Sequence, residues 1–353
     1  MRAHICGIQQ VGIGVNDLPS RWKWYRHNFA MDVRIFEDAA EAPLMTKYTG
    51  GEVRRRIAAL AMNMRGGGGF EIWQYADRKP RPASFDIALS DLGIIAVKMK
   101  TSDAAQAAEA LTAAGTKTVS EPARNTAGTK HFYIRDIDGN AFDIEESDDW
   151  FKEKAPGTTG GALGAVIGVS DMEKSLHFYR EMLGFDRVLA DTEGPQPDLA
   201  KLPDGDLTYR RVILTQSKQG TGPFTPLLGQ NRLELLQCTE KKGRKIFENR
   251  FWGDLGFIHL CFDVRGMDAL KARGNELGYP FTVDSADSFD MGKAAGRFGY
   301  VEDPDGTLIE FVETHKLPIV EKWGWYMDLR KRNQEKSLPK WMLNCFRFNK
   351  VKD

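Results

Sequence analysis

The sequence lacks several features that would assign it to a particular class of protein. Its 49 basic residues are matched by 49 acidic residues, so the formal net charge is zero. That balance gives no electrostatic support for binding to nucleic acid or to an anionic membrane surface. No apolar run is long enough to span a bilayer, and strand-like sequence starts within a few residues of Met1. We therefore expect neither a membrane span nor a secretory signal.

Cysteine is also scarce, with four residues in a chain of 353. They are scattered along the sequence, with no C-x-x-C spacing and no dense framework. This pattern favours reduced thiols and predicts a cytoplasmic protein. The chain is long enough for two domains.

What the sequence does contain is an internal repeat. Val15-Asn16-Asp17-Leu18 with Tyr25 recurs as Val169-Ser170-Asp171-Met172 with Tyr179, at a constant spacing of 154 residues (169 − 15 and 179 − 25). A fixed internal period of this kind indicates duplicated structural units.

A second pair of copies follows the first. Asp91-Leu92-Gly93 recurs as Asp254-Leu255-Gly256, at a spacing of 163 residues (254 − 91), and Asp138-Gly139 recurs as Asp305-Gly306. The sequence therefore contains four related units.

Each unit opens with an alternating pattern that predicts a β-strand. In the first unit Val11, Ile13 and Val15 share one face, and Gln10 and Gly12 share the other. Gly12 and Gly14 have no side chains and would leave open space beside Gln10 on that face. A helix follows, begun by side chains suited to an N-cap, and then about three strands separated by Gly, Asp and Asn turns.

The repeats define the domain organisation. The tail is rich in Lys and Arg and carries three tryptophans, and we expect a helix whose aromatic residues pack on a sheet. The segments are a first half at 1–147 (units at about 5–75 and 90–147), a linker at 148–161, a second half at 162–314 (units at about 160–238 and 253–314) and a C-terminal extension at 315–353.

These motifs resemble a known family. The V-[NS]-D-[LM] strand ends, Phe70-Glu71-Ile72, and Asp303-Pro304-Asp305-Gly306 before Leu308-Ile309-Glu310 are similar to motifs of the vicinal oxygen chelate superfamily. That superfamily includes glyoxalase I, methylmalonyl-CoA epimerase, bleomycin-resistance proteins and extradiol dioxygenases. The resemblance implies an α+β fold in which four βαβββ modules pair into two half-open barrels, here with a C-terminal helical tail. It also implies a divalent metal ion.

By this resemblance, each opening strand and each closing strand carries one ligand position. The opening position of two units holds Ala96 or Gly164, which cannot bind a metal. The opening positions are Gln10, Ala96, Gly164 and His259, and the closing positions are Glu71, Asp143, Glu234 and Glu310.

Which ligands meet depends on how the units pair. If each half forms its own barrel, the second half offers Glu234, His259 and Glu310. If unit one pairs with unit four, the set is Gln10, Glu71, His259 and Glu310, which matches the pattern of glyoxalase I. We favour the crossed pairing because it gathers every competent opening-strand ligand into one barrel.

The donor set predicts the chemistry. Two carboxylates, an imidazole and an amide oxygen suit Zn, Ni, Co, Mn or Fe. The ion would bind a small substrate through adjacent oxygens and stabilise an enediolate after proton abstraction. By resemblance the base is Glu310, with Glu71 the other candidate. Trp73 and Tyr300 are candidates to line the substrate pocket.

Two family activities fit less well. Glyoxalase I holds glutathione through positions that correspond to Gly14 and Tyr75 here, so glutathione hemithioacetal is not the expected substrate. A dioxygenase would place Fe(II) at Glu234, His259 and Glu310. A third hypothesis is a metal-free protein that only binds a small molecule, and fold alone does not separate the three. We expect a monomer or homodimer, and the substrate is not specified by the sequence.

Overall fold

The first two repeated segments each form an opening strand, a helix and further antiparallel strands. The computed structural model describes residues 3–154, 157–286, 289–291, 294–320 and 323–352. Unit one consists of β1 (His4–Gly14), α1 (Leu18–Phe29), β2 (Val33–Glu41), β3 (Arg55–Met62) and β4 (Gly69–Tyr75). Unit two consists of β5 (Gly93–Thr101), α2 (Ala104–Ala113), β6 (Lys117–Thr118), β7 (Ala123–Arg124), β8 (Lys130–Arg135) and β9 (Ala141–Glu146).

The third and fourth segments follow the same plan. Unit three consists of β10 (Thr159–Gly168), α3 (Met172–Leu183), β11 (Arg187–Pro195), β12 (Thr208–Thr215), the short α4 (Thr225–Leu228) and β13 (Arg232–Cys238). Unit four consists of β14 (Gly256–Arg265), α5 (Met267–Leu277), β15 (Val283–Asp284), β16 (Phe289–Met291), β17 (Ala294–Glu302) and β18 (Leu308–Val320).

The units pair across the two halves of the chain. One sheet has the order β15-β17-β18-β14-β1-β4-β3-β2 and is built from units one and four; it forms the first barrel. The other has the order β11-β12-β13-β10-β5-β9-β8-β6 and is built from units two and three; it forms the second barrel. The predicted fold of four units in two curled, half-open barrels is confirmed, and the pairing is the crossed one.

The seam of the first barrel is the antiparallel pair of β1 and β14. It runs from His4 opposite Arg265 to Gly14 opposite Gly256. This long seam joins residues that are about 250 positions apart in the sequence, so the two halves of the chain share one sheet.

The alternation predicted for β1 is borne out by burial. Val11, Ile13 and Val15 are fully covered in the main hydrophobic core, where they pack with the apolar face of α1. The side chain of Gln10 points to the opposite face, which lines a cavity. One face of the sheet therefore supplies the core, and the other is free to form a site.

The Asp-x-Asp-Gly turns fasten consecutive units to each other. The Tyr25 hydroxyl of α1 donates to Asp136 Oδ2 at 2.7 Å, and the Tyr179 hydroxyl of α3 donates to Asp303 Oδ2 at 2.8 Å. Burial raises the pKa of Asp303 to about 6. These bonds join unit one to unit two and unit three to unit four, so the halves are connected internally although the sheets cross between them.

The C-terminal extension contains the expected helix, but it also contains a strand. Strand β18 continues to Val320, and the extension adds a strand, β19 (Trp325–Asp328), that pairs with β18. Its α-helix within the described residues is short, α6 (Lys340–Asn344). Trp323 and Trp341 are 65% and 61% exposed, so the expectation that the aromatic residues pack on a sheet is wrong for these two. Leucine, methionine and phenylalanine side chains make the contact, together with Trp325.

No helix among the described residues has both the length and the apolar composition needed to cross a membrane.

Candidate metal centre

Four neighbouring strands at the middle of the first barrel position the candidate ligands. Strands β18, β14, β1 and β4 lie side by side, and each contributes one side chain to the same face of the sheet. Gly12 in β1 is opposite both Glu71 in β4 and His259 in β14, while Cys261 in β14 is opposite Glu310 in β18. The register therefore brings residues from both ends of the repeat region to one point.

The side chains of Gln10, Glu71, His259 and Glu310 meet at this point. Ligand atoms of Glu71, His259 and Glu310 all lie within 4.8 Å of one another. His259 Nε2 is 3.1 Å from Glu310 Oε2 and 3.3 Å from Glu71 Oε2. Gln10 Nε2 is 3.4 Å from Glu71 Oε2 and 3.5 Å from Glu310 Oε2. This is the crossed ligand set of the sequence analysis.

The cluster is almost completely shielded from solvent. Residue exposure is 0% for His259, 4% for Gln10, 6% for Glu310 and 9% for Glu71. Burial lowers the pKa of His259, but the carboxylates of Glu310 and Glu71 outweigh that effect and raise the pKa to about 9. Two neighbouring buried carboxylates require a positive partner, because an uncompensated buried charge is costly.

The unsatisfied atoms of the cluster suit a metal ion. Gln10 Oε1 is buried and makes no hydrogen bond to any described residue, and His259 Nε2 is buried against the carboxylates of Glu310 and Glu71. A carbonyl oxygen with free lone pairs and an imidazole nitrogen that a metal ion would deprotonate, next to two carboxylates, form a donor set for a divalent ion such as Zn or Mn. The residues present therefore fit the group that the family resemblance implies.

A glycine makes room for the imidazole. A Cβ atom built on Gly12 would lie 2.4 Å from His259 Cε1, well inside van der Waals contact. The space expected beside Gln10 is therefore taken by the His259 ring. In the second barrel the residue equivalent to Gly12 is Val166, and the residue opposite it, equivalent to His259, is Ala96. The larger side chain is therefore on the opposite strand from that in the first barrel.

The second barrel contains a lysine at the centre of its ligand positions. Lys98 Nζ is 2.6 Å from Asp143 Oδ2, 2.7 Å from Glu145 Oε2 and 2.8 Å from Glu234 Oε2, and all four side chains are fully buried. Burial opposes the charge, but the three carboxylates raise the pKa of Lys98. An internal ammonium thus pairs with Asp143 and Glu234, the carboxylates that correspond to Glu310 and Glu71 of the first barrel.

The alternative ligand set is not brought together. Glu234 belongs to β13 in the second barrel, where Arg211 Nε lies 2.8 Å from its Oε1. His259 and Glu310 belong to the first barrel. Because the units cross between halves, a set of Glu234, His259 and Glu310 has no common site, and this was the set assigned to Fe(II) in the dioxygenase hypothesis.

A cavity of about 300 Å³ opens onto the cluster, with Gln10, Glu71 and Glu310 in its wall. Tyr300 lines this cavity, and its hydroxyl is 3.5 Å from His259 Nδ1. Trp73 is not among its described lining residues. Its indole instead packs edge-on against Trp252, with ring centroids 4.7 Å apart.

Several residues of the site were missed by sequence reasoning. Cys261 lies on β14 two residues beyond His259, and burial and the nearby Glu310 raise the pKa of its thiol. Trp252, from the loop before β14, lines the cavity outside the repeat motifs. Lys98 could have been found, because it occupies the position in β5 that corresponds to Cys261 at the 163-residue spacing.

Comparison with known proteins agrees with this architecture. The sequence model of the Glyoxalase/Bleomycin resistance protein/Dioxygenase superfamily matches residues 7–144 and 163–311. No curated protein sequence matches the chain significantly.

Solved structures of similar fold include glyoxalase I from Zea mays, at 16% identity and a TM-score of 0.54, covering 88% of this chain and 92% of the maize chain. A protein from Bacillus subtilis, assigned provisionally as a dioxygenase, has 10% identity and a TM-score of 0.54, covering 88% of this chain and 86% of its own. At these identities the similarity concerns the fold alone. Because the family model matches most of the sequence in two consecutive stretches, the chain belongs to the Glyoxalase/Bleomycin resistance protein/Dioxygenase superfamily.

Proposed function

We propose that this protein is a metal-dependent lyase or isomerase that moves a proton on a small substrate bearing adjacent oxygens. The observation that carries the proposal is the convergence of Gln10, Glu71, His259 and Glu310 at the wall of a cavity. Two carboxylates, one imidazole and one amide are more than a structural core requires, and three of them face the cavity.

These four residues would hold one divalent ion, of Zn, Ni, Co, Mn or Fe. When bound, such an ion supplies Lewis-acid stabilisation of negative charge on the substrate oxygens. His259 contributes Nε2, and Gln10 contributes the carbonyl oxygen that has no other partner. Gly12 leaves the imidazole the space it needs to remain in this orientation.

The proton is moved by a carboxylate of the same cluster. Glu310 and Glu71 both line the cavity, so either can reach a carbon next to the chelated oxygens. We assign the base role to an Oε atom of Glu310, with Glu71 as the second candidate, on the family resemblance. Their burial excludes bulk water from the carboxylate that accepts the proton.

Glutathione is not the substrate that this site favours. Tyr75, at a position where glyoxalase I contacts the glutathione group, is buried, and its hydroxyl donates to the carbonyl oxygen of Trp252. Gly14 packs directly against the backbone of Asp254 and presents no side chain. Neither position offers the charged or amide contact that the glutathione group would need.

Metal content tests the ligand set. We expect about one divalent ion per chain in the purified protein and none in His259→Ala. Gln10→Ala should weaken metal affinity by at least about tenfold, since even the loss of an outer-shell partner has that effect. His177→Ala and Gln230→Ala, which truncate exposed side chains, are the matched controls. Full metal content in His259→Ala would contradict the proposal.

Hydrogen–deuterium exchange tests the chemistry. The metal-loaded protein should exchange the methylene protons of 2-hydroxyacetophenone in D₂O, as followed by NMR. Glu310→Gln should slow the exchange by about 10²–10⁴-fold, with metal content measured in parallel. Oxygen uptake with catechol and Fe(II) would instead support a dioxygenase. Absence of both metal and exchange activity would instead support a protein that only binds its ligand.

A further inference from the structure

We propose that the part of the substrate remote from its chelating oxygens is uncharged and apolar, and about the size of one or two aromatic rings. This inference rests on the proposed function, because it assumes that the adjacent oxygens bind at the cluster of Gln10, Glu71, His259 and Glu310. It concerns the remainder of the cavity, which determines what the rest of the molecule contacts.

The sheet becomes apolar immediately beyond the candidate ligands. Leu60 in β3 is opposite Glu71, and Phe36 in β2 is opposite Leu60. Two residues beyond Glu310, Val312 faces the same side of β18, with Phe298 in β17 opposite to it. All four apolar side chains line the cavity. A substrate held by its oxygens therefore extends over hydrocarbon in both directions across the sheet.

Elements outside the first barrel close the cavity with further apolar side chains. Leu227 and Leu228 come from α4 of unit three, and Phe346 comes from the C-terminal extension. These side chains belong to one hydrophobic cluster that also contains Met62 of β3. The chain thus covers the open side of the sheet with hydrocarbon rather than with polar groups.

The basic side chains in the described lining are already paired. The Arg56 guanidinium forms an ion pair with Asp38, and Arg297 is 2.8 Å from Asp284 and 2.6 Å from Asp268. The acidic Glu41 also lines the cavity, in addition to the carboxylates of the cluster. A substrate carboxylate would lose its hydration here and would meet no uncommitted cation among these residues, so the cavity disfavours it.

The volume of the cavity suits a group of limited size. It measures about 300 Å³. An apolar cavity of about 150 Å³ is sufficient to bind benzene. One or two rings, or a branched aliphatic group of similar bulk, therefore fill the space.

A series of hydroxamates with one chelating head and different substituents tests this inference. Acetohydroxamate, benzohydroxamate and 4-carboxybenzohydroxamate would be titrated into the zinc-loaded protein by calorimetry. We expect benzohydroxamate to bind at least about tenfold more tightly than acetohydroxamate, because the ring is buried. We expect 4-carboxybenzohydroxamate to bind at least about tenfold more weakly than benzohydroxamate, because its carboxylate is unpaired.

Val312→Lys weakens or removes the preference against a carboxylate if the inference is right. The lysine begins two residues along the strand from Glu310, roughly 7 Å away, and places an ammonium beside the bound substituent. The ratio of the 4-carboxybenzohydroxamate and benzohydroxamate affinities should then shift by at least about tenfold toward the carboxylate. Val312→Met, which changes the same side chain without adding charge, should leave the preference for benzohydroxamate in place.

The outcomes separate this inference from the proposed function. If the carboxylate-bearing compound binds the unaltered protein as tightly as benzohydroxamate does, the inference is wrong. The same holds if acetohydroxamate binds and benzohydroxamate binds no more tightly, although the metal site then stands. If the protein retains no zinc and binds none of the three, the proposed function fails, and the inference about its substrate fails with it.

Discussion

The contact between Gly12 and His259 shows how one missing side chain allows a ligand to take its place. The imidazole occupies the volume where a Cβ atom at residue 12 would lie, 2.4 Å from Cε1. In the second barrel the same pair of positions holds Val166 and Ala96. In each barrel one of the two opposed strands supplies the side chain that occupies this space. In the first barrel it is His259, which can bind a metal, and in the second it is Val166, which cannot.

Gly12→Ala should therefore impair metal binding without removing any ligand. The added methyl group displaces the His259 ring, and we expect metal affinity to fall by at least about tenfold. The free energy of unfolding should fall by about 1–3 kcal/mol, because the core is overpacked. Calorimetric metal titration and chemical denaturation measure the two effects.

Val166→Ala is the matched control for that substitution. It removes two methyl groups from the equivalent position and should also destabilise the fold by about 1–3 kcal/mol. Metal affinity should remain unchanged, because Ala96 opposite it is not a ligand. Equal loss of metal affinity in both variants would mean that Gly12 acts on stability and not on the orientation of His259.

The candidate ligands could be predicted from the sequence because the repeat spacing placed them at equivalent positions of their units. Gln10, Glu71, His259 and Glu310 occupy equivalent strand positions, and this equivalence predicted that they would share one face if units one and four paired. The role of Trp73 was not predictable in the same way. It shares a strand face with Glu71, but Trp252, a cavity-lining residue from the loop before β14, packs edge-on against it.

At the scale of the strand, β5 shows how the second barrel replaces a ligand position with an internal charge. Lys98 Nζ lies among Asp143, Glu145 and Glu234 at distances of 2.6 to 2.8 Å. Removing one member of a buried network of charges strongly destabilises a protein, because it leaves another charge buried without a partner.

Lys98→Met should destabilise the protein by about 3–5 kcal/mol near pH 7, because it leaves buried carboxylates without their cation. In the unaltered protein, burial raises the pKa of Asp143, but Lys98 and His131 outweigh it and hold that pKa below its usual range. The stability that Lys98 contributes is therefore present above about pH 4 and lost as the pH falls further. Urea denaturation at pH 7 and pH 3 should show a smaller difference between the two proteins at pH 3.

Lys174→Met provides a control, since Lys174 pairs with Asp171 at the protein surface. We expect no measurable change in the free energy of unfolding for this variant at either pH. A Lys98→Met protein that is as stable as the unaltered one at pH 7 would show that the second barrel does not depend on its internal ammonium.

The same network should make stability fall at alkaline pH. Burial lowers the pKa of His131, but Asp143 and Asp198 outweigh it and raise the pKa to about 10. Protonation of His131 therefore stabilises the fold fully below about pH 6.5, and this contribution is lost as the pH rises to about 10. His131→Gln should flatten the decline in unfolding free energy between pH 6 and pH 10. An unchanged decline in the variant would contradict the assignment.

Secondary-structure elements were predicted correctly where polar and apolar residues alternated clearly. In the C-terminal extension the pairing of a strand was not predicted. The β1 pattern of Val11, Ile13 and Val15 predicted the strand and its buried face correctly. The extension carries no such period, and its charged composition gave no sign that β19 would pair with β18. That pairing depends on an exposed strand edge created by the rest of the fold, which a local pattern does not contain.

For the whole molecule, the important feature is that each barrel takes one unit from each half of the chain. Residues 3–154 contain β1 and β4, and residues 157–286 and 294–320 contain β14 and β18. The candidate metal centre therefore needs both halves, although hydrogen bonds such as that of Tyr25 to Asp136 tie the units within each half. The order of motifs in the sequence left the pairing of units open, because both pairings satisfy the same repeat.

Separate production of the halves tests this arrangement. Residues 1–154 and 157–353, expressed alone, should each fail to bind a divalent ion, because neither contains all four ligands. Each half also leaves β1 or β14 without its partner strand, so we expect association or low solubility. Refolding the two together should restore about one ion per pair of fragments. A fragment that binds metal alone would contradict crossed assembly of the site.

The most direct test of the central claim is anomalous X-ray diffraction from crystals of the zinc-loaded protein, measured at the zinc absorption edge. We predict one strong anomalous peak per chain, about 2.0–2.2 Å from His259 Nε2 and from carboxylate oxygens of Glu71 and Glu310, with the side-chain oxygen of Gln10 also facing it. We predict no peak beside Lys98 in the second barrel. A fully loaded crystal with its peak elsewhere, or with no peak between His259 and the two glutamates, would contradict the account.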